Sequence, residues 1–383
     1  MQSLKKLLRK FAKINPNLAF FLKKKFYFST PGNLDSIGIK NHQKNFFLLI
    51  PINGKIIGFA TGPLNDQRGI GRFTRNLLHN ILNEFNFDKE LEKLTLSKKK
   101  ELSDYNLSCV DIFFYSSMHW CNYQITENSI IMIMDVIPLV MRDFFPEAVI
   151  RSWETEFKKN AQKCRGIITI SESSAKDICN YLRVKSEKIY VVSPGIEKIR
   201  FNEKVKVKIP TKPFVVFLGA NDFHKNVEVL IEALTLPILR EVSSVFIGEN
   251  EELKKKCANL GLKDRVFFLG RLPDEQIAFI FRHSSLLVFP SLCEGFGLPP
   301  FEAAMYGVPS ICSKRPAMTE VLHNCALFAD PNDPQDWAVK IVQLLEDTDL
   351  RERIIKNARI KAENLTWKNC TKNILKILKE NAF

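Results

Sequence analysis

A series of short apolar runs that do not alternate with polar residues constrains this chain most. Val110 to Tyr115, Ile130 to Met134, Gly166 to Ile170 and Ile189 to Val192 form one set. Phe214 to Leu218, Val245 to Ile247, Val266 to Leu269, Leu286 to Phe289, Pro309 to Cys312 and Ala326 to Phe328 form another. Unbroken apolar runs of this length suit parallel strands covered on both faces. Helical segments fall between them, around 147–164, 175–182, 227–236, 250–260, 274–284, 301–306, 335–346 and 350–364. Strand alternating with helix predicts doubly wound α/β units. A chain of 383 residues is too long for one ordinary core. The charged, proline-bearing segment 197–213 reads as the link between two units. The expected organisation is a basic extension over 1–45, one Rossmann-like domain over 46–198, a second over 199–366 and a closing helix over 367–383. The two domains are expected to face each other across a cleft.

Ahead of these units, Phe46 to Ile50 and Ile56 to Ala60 are split by Asn53-Gly54, a hairpin signal. Residues 84–108 are charged and read as a surface helix and loop. The charge is uneven: residues 1–200 carry 31 Lys/Arg against 19 Asp/Glu, and residues 201–383 carry 25 against 23. An anionic substrate, an anionic membrane surface or nucleic acid would each suit a basic first half. Zinc-finger, RNA-recognition and basic-zipper signatures are missing, so nucleic acid is not expected. Residues 1–27 hold eight Lys/Arg and no acid, with Leu4, Leu7, Leu8 and Phe11 at helical spacing. That basic amphipathic segment predicts peripheral contact with anionic lipid. No apolar run approaches the ~20 residues of a spanning helix. The nine Cys form no C-x-x-C pair, which speaks against zinc and for a reducing, cytoplasmic setting.

Three loops carry candidate chemistry. The first is Gly62 to Arg72, with Gly69 and Gly71 feeding a helix whose apolar stripe is Phe73, Leu77, Leu78, Ile81 and Leu82. Arg68 and Arg72 flank it, so the loop suits an anion. The second, Gly219 to Asn226, follows the first strand of the second unit. Its Lys225 would give phosphate a point charge, with His224 beside it. The third, Phe289 to Pro309, is strand, glycine turn and helix start, with Glu294 and Glu302 bracketing Gly295, Phe296, Gly297 and Leu298. Carboxylates beside a phosphate loop suit sugar hydroxyls better than the phosphate itself. Solvated loop residues at plain strand-to-helix connections remain the alternative for each. The sequence offers no metal cluster, and no cofactor is expected.

Glu294-Gly295-Phe296-Gly297-Leu298-Pro299-Pro300-Phe301-Glu302 resembles the hallmark of the retaining family-4 glycosyltransferases of GT-B fold, two Glu separated by seven residues. The likeness runs from about residue 60 to the C-terminus. It takes in Arg68 to Leu77, Asp135-Val136-Ile137-Pro138, Gly219 to Asn226, Pro316 to Val321, Asp330-Pro331 and the Trp367 helix. It implies metal-independent transfer of a hexose, with retention, from a nucleotide-diphosphate sugar to a surface glycan or polyprenyl-diphosphate-linked acceptor. The nearest likeness within the family is to mannosyltransferases. Glu302 would then bind ribose, while Lys225 with the Gly297 and Leu298 amides would hold the diphosphate. Glu294 would sit by the transferred sugar, Gly69 and Gly71 would close over the phosphates, and Asp135 would lie near the reacting centre. The location implied is the cytoplasm, peripheral to the inner face of the membrane. Two positions depart from the family: Met134 stands where it usually has His, and His224 and Ala220 stand where it often has Arg. Arg271 is the candidate for the missing cation. Met134 also keeps open a second reading, a GT-B protein that binds a sugar nucleotide or a partner without turnover.

Overall fold

The computed structural model describes residues 47–52, 54–66, 69–84, 110–120, 125–197, 202–211, 213–219, 223–248 and 250–382. The basic segment 1–27, the surface stretch expected over 84–108 (all but Glu84), Asn53, Arg68, the start of the expected linker and Ala220 lie outside the described residues.

Two sheets carry the architecture. The first holds β1 (Phe47–Ile52), β2 (Lys55–Ala60), β3 (Ile112–Tyr115), β4 (Ser129–Met132), β5 (Gly166–Thr169) and β6 (Ile189–Val191). The expected hairpin is present: β1 and β2 pair antiparallel, with Ile52 opposite Lys55. From β2 onward every neighbouring pair is parallel, and the strands lie in simple chain order. The second sheet holds β7 (Phe214–Leu218), β8 (Ser243–Ile247), β9 (Val266–Phe268), β10 (Leu286–Phe289), β11 (Ser310–Ser313) and β12 (Leu327–Ala329). Its order is β12-β11-β10-β7-β8-β9, all parallel. The chain therefore runs outward from β7 to β9, then restarts at β10 on the other side of β7. That reversal is the switch point at which open α/β sheets take ligands. Among the described residues the first sheet has no such reversal.

The unbroken apolar runs are buried on both faces: every residue of β4, β5, β8, β10 and β11 is buried. The helix Gly69–Glu84 turns Phe73, Leu77, Leu78, Ile81 and Leu82 into the first core. The helix Trp367–Asn381 leaves the second unit and returns to the first. Trp367 packs edge-on to Phe73 at 5.2 Å, and Arg165 Nη1 donates to the Asn381 carbonyl at 2.6 Å. Gly195 makes that return possible, since a Cβ there would lie 2.5 Å from Trp367 Cα.

Three local features differ from the sequence expectation. The helix expected near Phe301 begins at Leu298, because Pro299 and Pro300 sit in a first turn that needs no N–H from them. Short helices at Ile137–Val140 and Pro316–Leu322 carry too few turns to show a period. The stretch expected as one helix over 147–164 is interrupted by a π turn at Trp153–Phe157.

Candidate active site at the switch point

β7 and β10 are parallel neighbours, with Leu287 opposite Val216. Their carboxyl ends deliver two of the three candidate loops to one place. After β7, Gly219 adopts φ +98°, and a Cβ there would meet Lys225 Cγ at 3.2 Å. The Lys225 stem thus lies across a position kept bare. A single 3-10 turn, Phe223–Lys225, follows, and Asn226 takes the left-handed conformation at φ 54°. The Asn226 amide secures that turn by donating to the Pro331 carbonyl at 2.8 Å. The Leu292 N–H donates to the His224 carbonyl at 2.7 Å, which ties the β7 loop to the β10 loop.

Lys225 Nζ pairs with Glu294 Oε1, and the two side chains are only 18% and 13% exposed. The ammonium also stands 5.2 Å from the centre of the Phe289 ring. Beyond Glu294, Gly297 caps the helix Leu298–Ala304 at φ 88°. A Cβ at Gly297 would lie 2.8 Å from Met318 Cε, the end of a flexible side chain that can shift, so it is the left-handed conformation that calls for glycine. Pro299 and Pro300 lack N–H groups, so the amides this start offers are Leu298 and those of the preceding loop. The Phe296 side chain is a core residue, 5% exposed and packed on Phe301 at 6.2 Å.

The first domain closes onto this loop. The Gly295 carbonyl accepts from Ser171 Oγ at 2.7 Å and from Ser174 Oγ at 3.4 Å. A Cβ at Gly295 would lie 2.9 Å from Ile170 Cδ1, 3.2 Å from the Met134 carbonyl oxygen and 3.3 Å from Asp135 Cβ. Ser171 is also the N-cap of the helix Glu172–Leu182, accepting from the Ser174 N–H at 3.0 Å. The next two orphan amides of that helix, Glu172 and Ser173, donate to the Glu320 carboxylate of the second domain at 2.9 and 2.7 Å. An acid at a helix N-terminus is the arrangement its dipole favours.

Asp135 lies beside this contact. Its Oδ1 accepts from the Ile137 N–H at 3.2 Å. Burial pushes its carboxyl up to about 6 and Glu294 adds to the rise, while the Ile137 bond and Lys225 oppose it. The protonated form is favoured in the fold, so Asp135 contributes stability below its ordinary 3.8 that is lost as pH rises through about 6. Asp135→Asn is therefore expected to melt higher than the parent at neutral pH. The gap should close as pH falls, vanishing near about pH 4. A gap independent of pH in parallel melting curves would refute the assignment.

The remaining candidates separate. Gly69 is exposed with nothing within 4 Å of a Cβ, whereas the space beside Gly71 is filled by the Asp66 carbonyl oxygen, 1.8 Å from where a Cβ would stand. Gly71 is thus required for helix packing. The His224 ring lies edge-on to Phe223 at 5.7 Å. Arg271 is exposed beyond β9, at the outer edge of the sheet, and among the described residues it forms no ion pair. Besides Lys225, the basic residue that reaches a candidate carboxylate among the described residues is Arg72: its Nη1 lies 2.8 Å from Glu302 Oε1. His119 is exposed, edge-on to Trp153 and Phe157 at 5.4 Å each. Among the described residues no three of His, Cys, Asp and Glu form a metal-ligand set, and the seven described cysteines are free thiols.

Two α/β units, a ligand-type reversal in the second sheet and a helix returning to the first unit define a protein of GT-B fold. Solved structures agree: sucrose-phosphate synthase from Thermosynechococcus elongatus superposes with a TM-score of 0.61 at 17% identity, covering 79% of this chain and 78% of that one. Anabaena HepE, solved with UDP and glucose, gives 0.56 at 19% identity, covering 71% and 78%. Residues 198–361 match the family Glycosyl transferases group 1. The O-antigen chain mannosyltransferase B of Escherichia coli is 24% identical over 64% of this chain and 68% of its own length. The O-antigen chain mannosyltransferase RfbU of Salmonella typhimurium is 28% identical over 58% and 62%. The matched part thus spans about two thirds of these relatives.

Proposed function

We propose that the chain moves a hexose, with mannose as the first candidate, from a nucleotide-diphosphate sugar to a hydroxyl of a glycan acceptor. The observation that carries this reading is the Lys225–Glu294 pair at the β7/β10 reversal, with Asp135 and Arg72 of the first domain facing the same loop-and-helix segment. The relatives named as O-antigen mannosyltransferases supply the substrate class. In this reading Glu302 takes the ribose hydroxyls, and Glu294 takes hydroxyls of the transferred sugar. Lys225 and the Gly297 and Leu298 amides meet the diphosphate. As the bond from the anomeric carbon to the diphosphate oxygen breaks, that oxygen gains charge. Preorganised cations and N–H groups stabilise it most at that point. The acceptor hydroxyl attacks from the face the diphosphate leaves, which retains configuration, and its proton passes to the departing phosphate oxygen. Asp135, ionised above about pH 6, steadies the positive charge developing on the sugar ring. The chemistry asks for no metal and no cofactor beyond the sugar nucleotide.

The test is transfer and donor hydrolysis with a panel of UDP-, GDP- and ADP-sugars against lipid-linked glycan acceptors. Turnover on one donor, lost below about pH 6 as Asp135 protonates, is the expected result. Met134 favours the second reading, binding without turnover, because a thioether cannot carry a proton or donate a hydrogen bond. Tight nucleotide binding with no turnover on any donor would establish it.

Among the described residues no helix is long and apolar enough to cross a membrane. The basic segment 1–27 would instead hold the enzyme against the inner membrane face, beside a polyprenyl-diphosphate-linked acceptor. Deleting 1–27 is expected to lower sedimentation with anionic liposomes at low salt. Equal sedimentation with and without the segment would count against lipid contact.

A further inference from the structure

We infer that Arg72 is a positioning residue for the nucleotide's ribose: from the first domain it holds one oxygen of the Glu302 carboxylate and leaves the other to accept the ribose hydroxyls. The inference rests on the reading of Glu302 given above.

Arg72 is an unexpected residue for its place. It lies in the first turn or so of the helix Gly69–Glu84, a segment with no acid in its first turn. A cation there faces the positive end of the helix dipole, which is unfavourable by itself. A break with a local rule that the fold nonetheless keeps points to a use elsewhere. Here the opposing charge comes from the other domain, with Arg72 Nη1 2.8 Å from Glu302 Oε1 and the side chains 33% and 11% exposed. Glu302 holds the guanidinium above its ordinary range despite burial, and Asp274 adds to the effect. The Tyr306 phenol stands in the same acidic surroundings: burial, then Glu302 and Asp274, push it up to about 12.

The arginine also springs from a fixed base. Gly71 before it is jammed against the Asp66 carbonyl. Phe73 after it packs on Trp367, and Thr74 Oγ1 lies 2.9 Å from Ser116 Oγ. Arg75 donates to the Leu64 and Asp66 carbonyls, at 2.9 Å each. With its neighbours locked, the reach of Arg72 across the cleft is set by the fold. A guanidinium held this way directs a rigid N–H at one carboxylate oxygen, where an ammonium offers rotatable donors at the end of a flexible stem. A vicinal diol needs an acceptor of fixed direction, and the paired Glu302 supplies one.

Isothermal titration of GDP and UDP, and of their 2′,3′-dideoxy forms, into the full chain and into Arg72→Gln and Arg72→Lys tests this. Wild type is expected to bind one parent nucleotide. Arg72→Gln should weaken that nucleotide about tenfold or more, the effect of losing a charge-assisted bond, and should leave the dideoxy form unchanged. Arg72→Lys should fall between, and donor KM should rise with kcat nearly kept. An equal loss on the parent and dideoxy forms would place Arg72 on the diphosphate and overturn the inference. No loss on either would make the pair a domain contact only and overturn it too. Wild type that binds neither nucleotide, nor ADP in the same titration, would sink the donor-site reading itself, a result separate from any behaviour of the variants. Melting curves of each variant exclude a folding defect as the cause.

Discussion

Replacing Lys225 with Ala is expected to lower kcat by about a hundred- to a thousandfold, the usual cost of removing one preorganised donor from developing negative charge. Two contributions separate in this site. Lys225 partners Glu294 with both side chains largely buried, so its loss also strands a carboxylate. Stranding it should cost about 2 kcal/mol of stability, since the pair retains some solvent. Lys225→Met with Glu294→Gln removes both charges together and should recover most of that stability without recovering turnover. If the double variant regained activity along with its melting temperature, Lys225 would be a structural residue. Steady-state kinetics beside thermal melts of the three proteins decide between these outcomes.

The second large effect is expected from Gly295→Val. Gly295 is not held by a left-handed φ; what it lacks is room. A Cβ would stand 2.9 Å from a methyl of Ile170, which can turn aside, and 3.2 Å from the Met134 carbonyl oxygen, which belongs to the backbone and cannot. Alanine should be partly tolerated. Valine adds two further carbons at the domain contact and should hold the two units apart, at a cost of about 1–3 kcal/mol if they stay closed. The expected result is donor turnover lower by about a hundredfold, as misplacement of catalytic groups by 1 Å produces. Small-angle scattering should show a larger radius of gyration. Normal turnover from the valine variant would mean that the Gly295 contact is not part of the working state.

Much of this arrangement is legible in the sequence, and the illegible part has a common cause. Runs such as Phe214 to Leu218 and Leu286 to Phe289 announce buried strands because both of their faces are apolar, a property of the run alone. That these two strands are neighbours is a property of strand order, which leaves no local mark. The Lys225–Glu294 pair could be expected only as a convergence of loops. The search for a further cation shows the same limit. Arg271 belongs to the same domain as the candidate phosphate loop and is the natural candidate by sequence, yet it stands at the sheet edge, and Arg72 reaches Glu302 from the other domain. Ser171 and Ser174 carry a readable signal, the spacing of a helix N-cap. Nothing in that spacing says that the same hydroxyls also donate to a carbonyl 124 and 121 residues further on.

The helix Trp367–Asn381 bears on how such a chain is made. Its partners, Phe73, Tyr190 and Arg165, belong to the first unit, but it is translated after the second. Throughout synthesis of the second sheet, the nascent first unit presents Phe73 without the ring that packs against it. Ribosome-bound chains stalled before Trp367 should bind more hydrophobic dye than chains released beyond Asn381, and equal dye binding would argue against this order. The segment between Pro316 and Leu322 emerges earlier and brings Glu320 to the open end of the helix Glu172–Leu182. Docking of the two units can thus precede completion of the older one, and the unit begun first on the ribosome is the last to be finished.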